Sequence, residues 1–254
     1  MQKIAIFFIG FLLTSAFLTG CGTFGSEDKE AAEMHLRIGT AQLQEGAYPQ
    51  ALASLLKAEE LDGDNPVIEN NLALAYFVRD RFELAEKHVA RALTLKPDYS
   101  DARNNYGRIL IERGRPQDAI TELKKVIADL TYQFPEKPLI NTGIAYFKLK
   151  QYDQARIHFQ KALDIQRDNC LAHSYYGRSL YEQKKLDRAT EALDRAVGFC
   201  QRGQFDEPHF FSAMAYLEAG DKVQAEARFE DIIKLYPRGK YTEKARSILK
   251  TMRK

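Results

Sequence analysis

Cys21 is the first residue of this sequence whose chemistry draws attention. Its thiol is a potential nucleophile, and it directly follows two small residues at the end of an apolar run that begins at Ile4. Lys3 places a positive charge before that run, which ends at Leu18 and is shorter than the ~20 apolar residues that a membrane-spanning helix needs. The charge, the length and the small residues together predict a signal peptide over residues 1–20.

The residues around this cysteine resemble a lipoprotein processing site. Leu18-Thr19-Gly20-Cys21 resembles the bacterial lipobox, which implies that the Cys21 thiol receives a diacylglycerol and that Cys21 becomes the mature N-terminus. Gly22, in place of an acidic residue, resembles the pattern of lipoproteins sorted to the outer membrane. We expect a lipid-anchored chain on the periplasmic face of that membrane, with surface exposure as the alternative. A plain signal peptide with an incidental cysteine is the other interpretation.

The sequence carries no pattern typical of a catalytic or metal site. It has no glycine-rich phosphate loop and no His-x-x-x-His or Cys-x-x-Cys spacing. The formal net charge of +2 is close to neutral, which argues against the concentrated basic face that nucleic-acid binding requires. We expect no enzyme activity, cofactor, nucleic acid or small-molecule substrate. The five histidines fall at two positions of the repeat described next, which indicates packing or surface roles: His35, His173 and His209 at one, His88 and His158 at the other.

One pattern recurs every 34 to 36 residues from Gly39 onward. A small residue is followed twelve positions later by an alanine and four positions after that by an apolar residue. The small residues are Gly39, Ala73, Gly107, Gly143, Gly177 and Ala213, and the alanines are Ala51, Ala85, Ala119, Ala155, Ala189 and Ala225. Small residues in both helices of a pair let the helices approach closely, and each pair buries its apolar face only by stacking on the next pair.

This pattern resembles the tetratricopeptide repeat. Six copies follow one another over residues 32–239, and a capping helix is predicted over 240–254. The resemblance implies an all-α superhelix with a concave inner surface, joined to the lipid by a short polar tether over residues 21–31. The predicted repeats are 32–65, 66–99, 100–135, 136–169, 170–205 and 206–239. Two short insertions, 129–137 and 201–206, account for the longer spacings.

Cys170 and Cys200 are predicted to form a disulfide bond. Cys170 opens the first helix of repeat five, and Cys200 ends its second helix. An antiparallel pair brings these two ends side by side, within the reach that a disulfide requires. An exported protein also meets an oxidising compartment. The alternative is two separately buried thiols.

The first helices carry residues that could bind an extended partner. Amides at neighbouring positions could exchange hydrogen bonds with a peptide backbone, although asparagine is also simply common at this position of the repeat. These amides belong to Asn70, Asn71, Asn104, Asn105 and Asn141. The apolar side chains of Leu74, Phe77 and Ile144 share the predicted surface, and Arg108 could meet a carboxylate. We predict that the groove of repeats one to four binds a protein.

The whole chain resembles a family of type IV pilus lipoproteins known as PilF, PilW or Tgl. Besides the lipobox and six repeats, the match rests on Asn104–Gly107 (NNYG), Tyr132–Tyr146 (YQFPEKPLINTGIAY) and Lys234–Tyr241 (KLYPRGKY). The resemblance implies a pilotin, a lipid-anchored adaptor that helps the pilus secretin reach or multimerise in the outer membrane. The implied partners are a secretin and, through the lipid, that membrane.

Three other interpretations stay open. The chain could be a lipoprotein subunit of outer-membrane β-barrel assembly, a scaffold for cell-wall hydrolases, or an enzyme with an unrecognised site. Loss of pili with normal porin levels after gene deletion favours the pilotin, whereas depleted porins favour β-barrel assembly.

Overall fold

The computed structural model describes residues 24–200 and 205–254, which form thirteen α-helices. The helices are α1 (Phe24–Gln44), α2 (Tyr48–Leu61), α3 (Pro66–Phe77), α4 (Phe82–Leu95), α5 (Ser100–Glu112), α6 (Pro116–Ile127), α7 (Glu136–Lys148), α8 (Tyr152–Ile165), α9 (Cys170–Glu182), α10 (Leu186–Cys200), α11 (Glu207–Ala219), α12 (Lys222–Leu235) and α13 (Thr242–Met252). Six helix pairs are followed by the cap α13, which confirms the predicted all-α superhelix.

The first helices of the pairs form one continuous row. Each of α1, α3, α5, α7 and α9 contacts the first helix of the next pair, while the second helices lie between their flanking first helices. This arrangement places the row of first helices on the inner, concave side of the superhelix. Side chains at the same position of successive first helices therefore become neighbours along one surface.

The close approach within a pair depends on the small residue of the first helix. A Cβ atom added at Gly143 would lie 2.5 Å from Cε1 of Phe159, and one at Gly107 would lie 2.6 Å from Leu123. Both partners are completely buried. The side chain that is missing from the first helix is thus replaced by a bulky residue of the second helix. The same relation holds for Gly39 with Leu55 and for Gly177 with Leu193.

Each first helix is followed by a residue with left-handed backbone. Glycine occupies this position in three repeats, with φ of 77° at Gly46, 73° at Gly114 and 90° at Gly220. The other three repeats place a residue with a side chain there: Asp80, Lys150 and Lys184, with φ of 58°, 59° and 58°. A side chain makes this conformation costly by about 1–2 kcal/mol. The turn is therefore imposed by the packing of the pair and not by glycine alone.

The structure corrects the predicted tether over residues 21–31. The first helix begins at Phe24, so residues 24–31 of the predicted polar tether are helical and belong to α1. The segment Glu27–Glu33 contains no glycine or proline, and Ala32 is buried against repeat one. Helix-forming residues with one buried contact extend the helix toward the N-terminus. Within the described residues, no helix is both long and apolar enough to cross a membrane.

The two ends of repeat five are covalently joined. Cys170 is the first residue of α9 and Cys200 the last of α10, and a disulfide bond links them with Cα atoms 5.1 Å apart. This bond closes the pair just before the second insertion, of which residues 201–204 lie outside the described residues. The first insertion is fixed differently, because Tyr132 donates a hydrogen bond to Asp101 of α5 over 3.0 Å.

Opposite effects are expected at two positions of repeat four. Gly143→Ala should lower the free energy of unfolding by about 1–3 kcal/mol, since its Cβ would overlap the buried Phe159 ring. Lys150→Gly should raise that free energy by up to about 1 kcal/mol, because it relieves the left-handed conformation. Urea denaturation measures both.

The control for this pair is Lys148→Gly. It places glycine at the last residue of α7 and should be destabilising by about 1 kcal/mol or less. A stabilising Gly143→Ala, or a Lys150→Gly that is as destabilising as this control, would contradict the packing account.

Candidate partner-binding groove

The concave side of α3, α5 and α7 carries four side chains that remain partly exposed. Leu74 and Phe77 lie on α3, Arg108 on α5 and Ile144 on α7. Leu74, Arg108 and Ile144 occupy the same position of successive first helices, and Phe77 lies about one turn beyond Leu74. These four residues are called the central patch below. Gly107 and Gly143 face the second helices of their pairs, so Arg108 and Ile144, one residue later, lie away from that contact and remain partly exposed.

The predicted asparagine row has a different role from the one expected. Asn105 Nδ2 donates a hydrogen bond to Asn70 Oδ1 over 2.8 Å, and Asn141 Nδ2 donates to Asn104 Oδ1 over 2.9 Å. Asn71 likewise donates to Thr40 Oγ1 over 2.8 Å. Each bond crosses from one first helix to the next. The amides therefore join neighbouring repeats.

Burial excludes an open row of amides. All five asparagine side chains are at most 9% exposed. A buried amide is costly unless it is hydrogen-bonded, and neighbouring asparagines satisfy each other where the first helices meet. The expectation that Asn70, Asn71, Asn104, Asn105 and Asn141 hold a peptide backbone is corrected accordingly. Their bonds keep the first helices in register beneath the central patch.

The arginine of the central patch has no ionic partner. The Arg108 guanidinium lies over the Phe77 ring, 4.7 Å from its centroid. Within residues 24–200 and 205–254, no carboxylate oxygen lies within ion-pair distance of it. Burial lowers the pKa of Arg108 below its ordinary value, and the nearby carboxylate of Glu112 opposes that shift. This side chain is thus a cation in a partly apolar setting.

A second arginine occupies the equivalent position in repeat five but is fully engaged. Arg178 forms an ion pair with Glu207 from the next first helix. Its guanidinium also lies between rings, 4.8 Å from the centroid of Phe147 and 4.2 Å from that of Phe211. This cluster closes the groove toward the cap, where Tyr241 stacks on Phe210 at 4.5 Å. Arg178 therefore stabilises contacts between repeats.

The groove continues toward the N-terminus as a shallow apolar cavity. Met34, Ile38 and Val67 are 53%, 41% and 40% exposed, and they line it together with Thr40 and Asn71. Because α1 is the first helix among the described residues, no described repeat precedes it to cover these side chains. Exposed apolar surface of this kind is typical of a protein contact.

A buried ionic cluster between repeats one and two was missed by sequence reasoning. Glu69 is completely buried, with His88 Nδ1 at 2.8 Å and Arg91 Nε at 2.9 Å from its two oxygens. Glu59 lies 3.8 Å from His88 Nδ1. One potential ligand atom from each of Glu59, Glu69 and His88 lies within 4.8 Å of the other two, which is close enough for a metal. Arg91, however, already neutralises the Glu69 carboxylate. The contacts of Glu69 with His88 and Arg91 join the two helices of repeat two, and Glu59 adds a contact from repeat one.

A signal for this cluster was present in the sequence. Glu69 and His88 occupy the fourth and twenty-third positions of repeat two, and Arg103 and Glu122 occupy the same two positions of repeat three. Arg103 and Glu122 form an ion pair at 2.5 Å. Complementary polar side chains at two fixed positions of consecutive repeats thus predict a contact across a helix pair.

Histidine also occurs at the fourth position of repeat six, where it is buried. His209 is 2% exposed, and neither ring nitrogen has a hydrogen-bond partner among the described residues. Burial, followed by the nearby Arg228, lowers its pKa, while Asp231, Asp194 and Asp206 oppose this shift. His209 therefore packs as a neutral ring, against Tyr236 at 5.3 Å.

Comparison with known proteins agrees with this architecture. Descriptions of the family "Tetratricopeptide repeat" match residues 70–133, 137–169 and 212–239. The type IV pilus assembly protein PilF of Pseudomonas aeruginosa is 27% identical over 190 residues, which is 72% of this chain and 75% of that protein.

Two solved structures of type IV pilus proteins share the fold. The crystal structure of PilW, a widely conserved type IV pilus biogenesis factor, superposes with a TM-score of 0.76 at 21% identity, covering 84% of this chain and 97% of that one. The structure of Pseudomonas aeruginosa PilF gives a TM-score of 0.70 at 22% identity, with 87% and 99% covered.

The fold and the repeat matches agree on the architecture: this chain is an all-α superhelix that contains tetratricopeptide repeats. Within that architecture it is similar to PilF, at 27% identity over 72% of the chain, and it shares the fold of PilW and PilF.

Acid should weaken the fold partly through His209. A histidine whose pKa is lowered in the folded state contributes stability above its unfolded pKa of about 6.5, and this contribution is lost as the pH falls below that value. The free energy of unfolding should therefore fall between pH 7 and pH 5. His209→Leu, of similar size, should reduce this fall. Urea denaturation at a series of pH values measures it, and an unchanged pH slope would count against a buried neutral histidine.

Proposed function

We propose that this chain is a non-catalytic, lipid-anchored adaptor that acts as a pilotin for the type IV pilus secretin. Support comes from the relation to PilF, which extends over about three quarters of both chains. The central patch is the surface that we assign to binding of the partner. It offers partly exposed apolar side chains and a cation on the concave side, next to the apolar cavity of α1 and α3.

The composition of the central patch suits a protein ligand. Phe77 and Arg108 are stacked, and aromatic residues and arginine are enriched among the residues that dominate binding energy at protein interfaces. Leu74 and Ile144 flank them, so a bound segment would bury apolar surface on both sides of the cation. A concave row of this kind accepts an extended or helical segment of a partner.

Lipidation at Cys21 would place this groove close to the membrane. Cys21 itself lies outside the described residues, but α1 begins at Phe24, only three residues later. A lipid on Cys21 would therefore hold repeat one near the bilayer, without a long intervening linker. The N-terminal repeats would then meet a secretin segment close to its membrane-spanning part, on the periplasmic face of the outer membrane.

Charges in the central patch should reduce the pilotin activity. The double variant Leu74→Glu and Phe77→Glu should lower the amount of secretin multimers severalfold, because a partner would have to desolvate two carboxylates. The measurement is an immunoblot of undissociated multimers, with circular dichroism and fractionation showing that the lipoprotein is folded and localised. The matched control is Leu84→Glu with Ile157→Glu, two exposed apolar residues of second helices. Normal multimers in the groove variant would exclude this surface.

Removal of the thiol at Cys21 should release the protein from the outer membrane. A single acyl chain binds marginally, whereas several chains on one residue anchor stably. Cys21→Ala should therefore appear outside the outer-membrane fraction or remain unprocessed. Fractionation and the mass of the mature N-terminus measure this outcome. An unchanged mass together with unchanged localisation would refute lipidation at this residue.

A further inference from the structure

We propose that Arg108 is the receptor for a carboxylate of the bound partner. The partner segment is extended, and it carries one Asp or Glu side chain with apolar residues about three positions before and after it. This proposal rests on the proposed function of the groove and specifies the chemistry that the groove recognises.

The first support is the contrast between two arginines at the same repeat position. Arg178 has a carboxylate partner, Glu207, and its Nε is sealed from solvent by the surrounding rings. Arg108 has no such carboxylate partner, because no carboxylate of α7 reaches it. None of the Arg108 nitrogens is sealed from solvent. The equivalent of the Glu207 carboxylate is thus missing from the described part of repeat four. A ligand carboxylate would fill that role.

The second support is the preorganisation of the guanidinium. The Phe77 ring lies 4.7 Å from it, which restrains the plane of the side chain. A planar guanidinium presents two parallel N–H donors that match a carboxylate, and such charge-assisted bonds are stronger than neutral ones. Glu112, one turn further along α5, is exposed and beyond ion-pair distance, so it leaves these donors available.

The third support is the apolar surface on both sides of Arg108. Leu74 and Phe77 lie on the preceding first helix, and Ile144 lies on the following one. Packed helices are about 8–10 Å apart, and an extended chain advances about 3.3 Å per residue. A residue bound at Arg108 would therefore have its neighbours three positions away above these apolar side chains. A C-terminal carboxylate would leave one side uncovered, so an acidic side chain inside the segment is the ligand group.

Selection from a peptide library tests this chemistry without a known ligand. The probe is a library of random dodecapeptides displayed within a loop, so that no peptide has a free terminus, and the target is the lipid-free chain from residue 22. Peptides enriched on this chain should share an Asp or Glu with apolar residues about three positions on each side. Enrichment of peptides without an acidic residue, or no enrichment at all, would overturn the proposal.

Affinity measurements then connect the acid to Arg108. For the most enriched peptide, synthesised with both termini blocked, Arg108→Gln should weaken binding about 10-fold to 100-fold. Replacing the acid by its amide should weaken binding equally, and the two changes together should weaken it little further. Lys148→Gln, which removes an exposed charge at the C-terminal end of α7, is the matched control and should change affinity less than threefold. Equal losses in Arg108→Gln and this control, at unchanged thermal stability, would also overturn the proposal.

Secretin multimers in cells separate this proposal from the proposed function. If Arg108→Gln loses the peptide while multimers stay normal, the carboxylate site stands and the pilotin function fails at this surface. If Leu74→Glu with Phe77→Glu lowers multimers while Arg108→Gln binds the peptide normally, the function stands and the carboxylate site is wrong.

Discussion

The structure depends on how closely the two helices of each pair approach one another. A glycine or alanine in the first helix faces a bulky buried residue of the second, and at Gly143 there is no room even for a methyl group beside Phe159. This contact fixes which side of every first helix is buried. It consequently determines which side chains remain for the concave surface.

Repetition of that contact has a further consequence along the superhelix. Equivalent positions of successive first helices become neighbours, so one position can serve a single purpose throughout the row. The position of Asn71, Asn105 and Asn141 is used for hydrogen bonds between repeats. The position of Arg108 and Arg178 faces the groove. The surroundings decide whether the arginine at this position is neutralised. Glu207 neutralises Arg178, whereas nothing in the described chain neutralises Arg108.

Much of the fold could be predicted from the sequence, because the small residues recur at a period that only stacked helix pairs explain. Gly46, Gly114 and Gly220 each lie seven residues after the small residue of their repeat, where the backbone is left-handed. At Lys150 the residue type gives no signal for that turn, since packing imposes it. The start of α1 at Phe24 was missed because the polar composition of the segment suggested a linker.

The candidate site was less predictable than the fold. Residue type and repeat position identified the central patch but could not show that the asparagines are buried, because burial depends on how far one repeat is rotated on the next. The same rotation decides whether a carboxylate from the following repeat reaches an arginine. The hydrogen bond between Glu69 and His88 also crosses a helix pair, and it becomes visible only when two repeats are compared at equivalent positions.

The proposed function requires that the concave surface of the N-terminal repeats contacts the secretin. Site-specific photo-cross-linking in living cells tests it most directly, with a photoreactive amino acid in place of Ile144 in the groove or of Ile157 on the second helix of the same repeat. The account predicts a cross-link to the secretin from position 144 and none from position 157. A cross-link from position 157 alone would place the working surface on the opposite side of the superhelix and contradict the account.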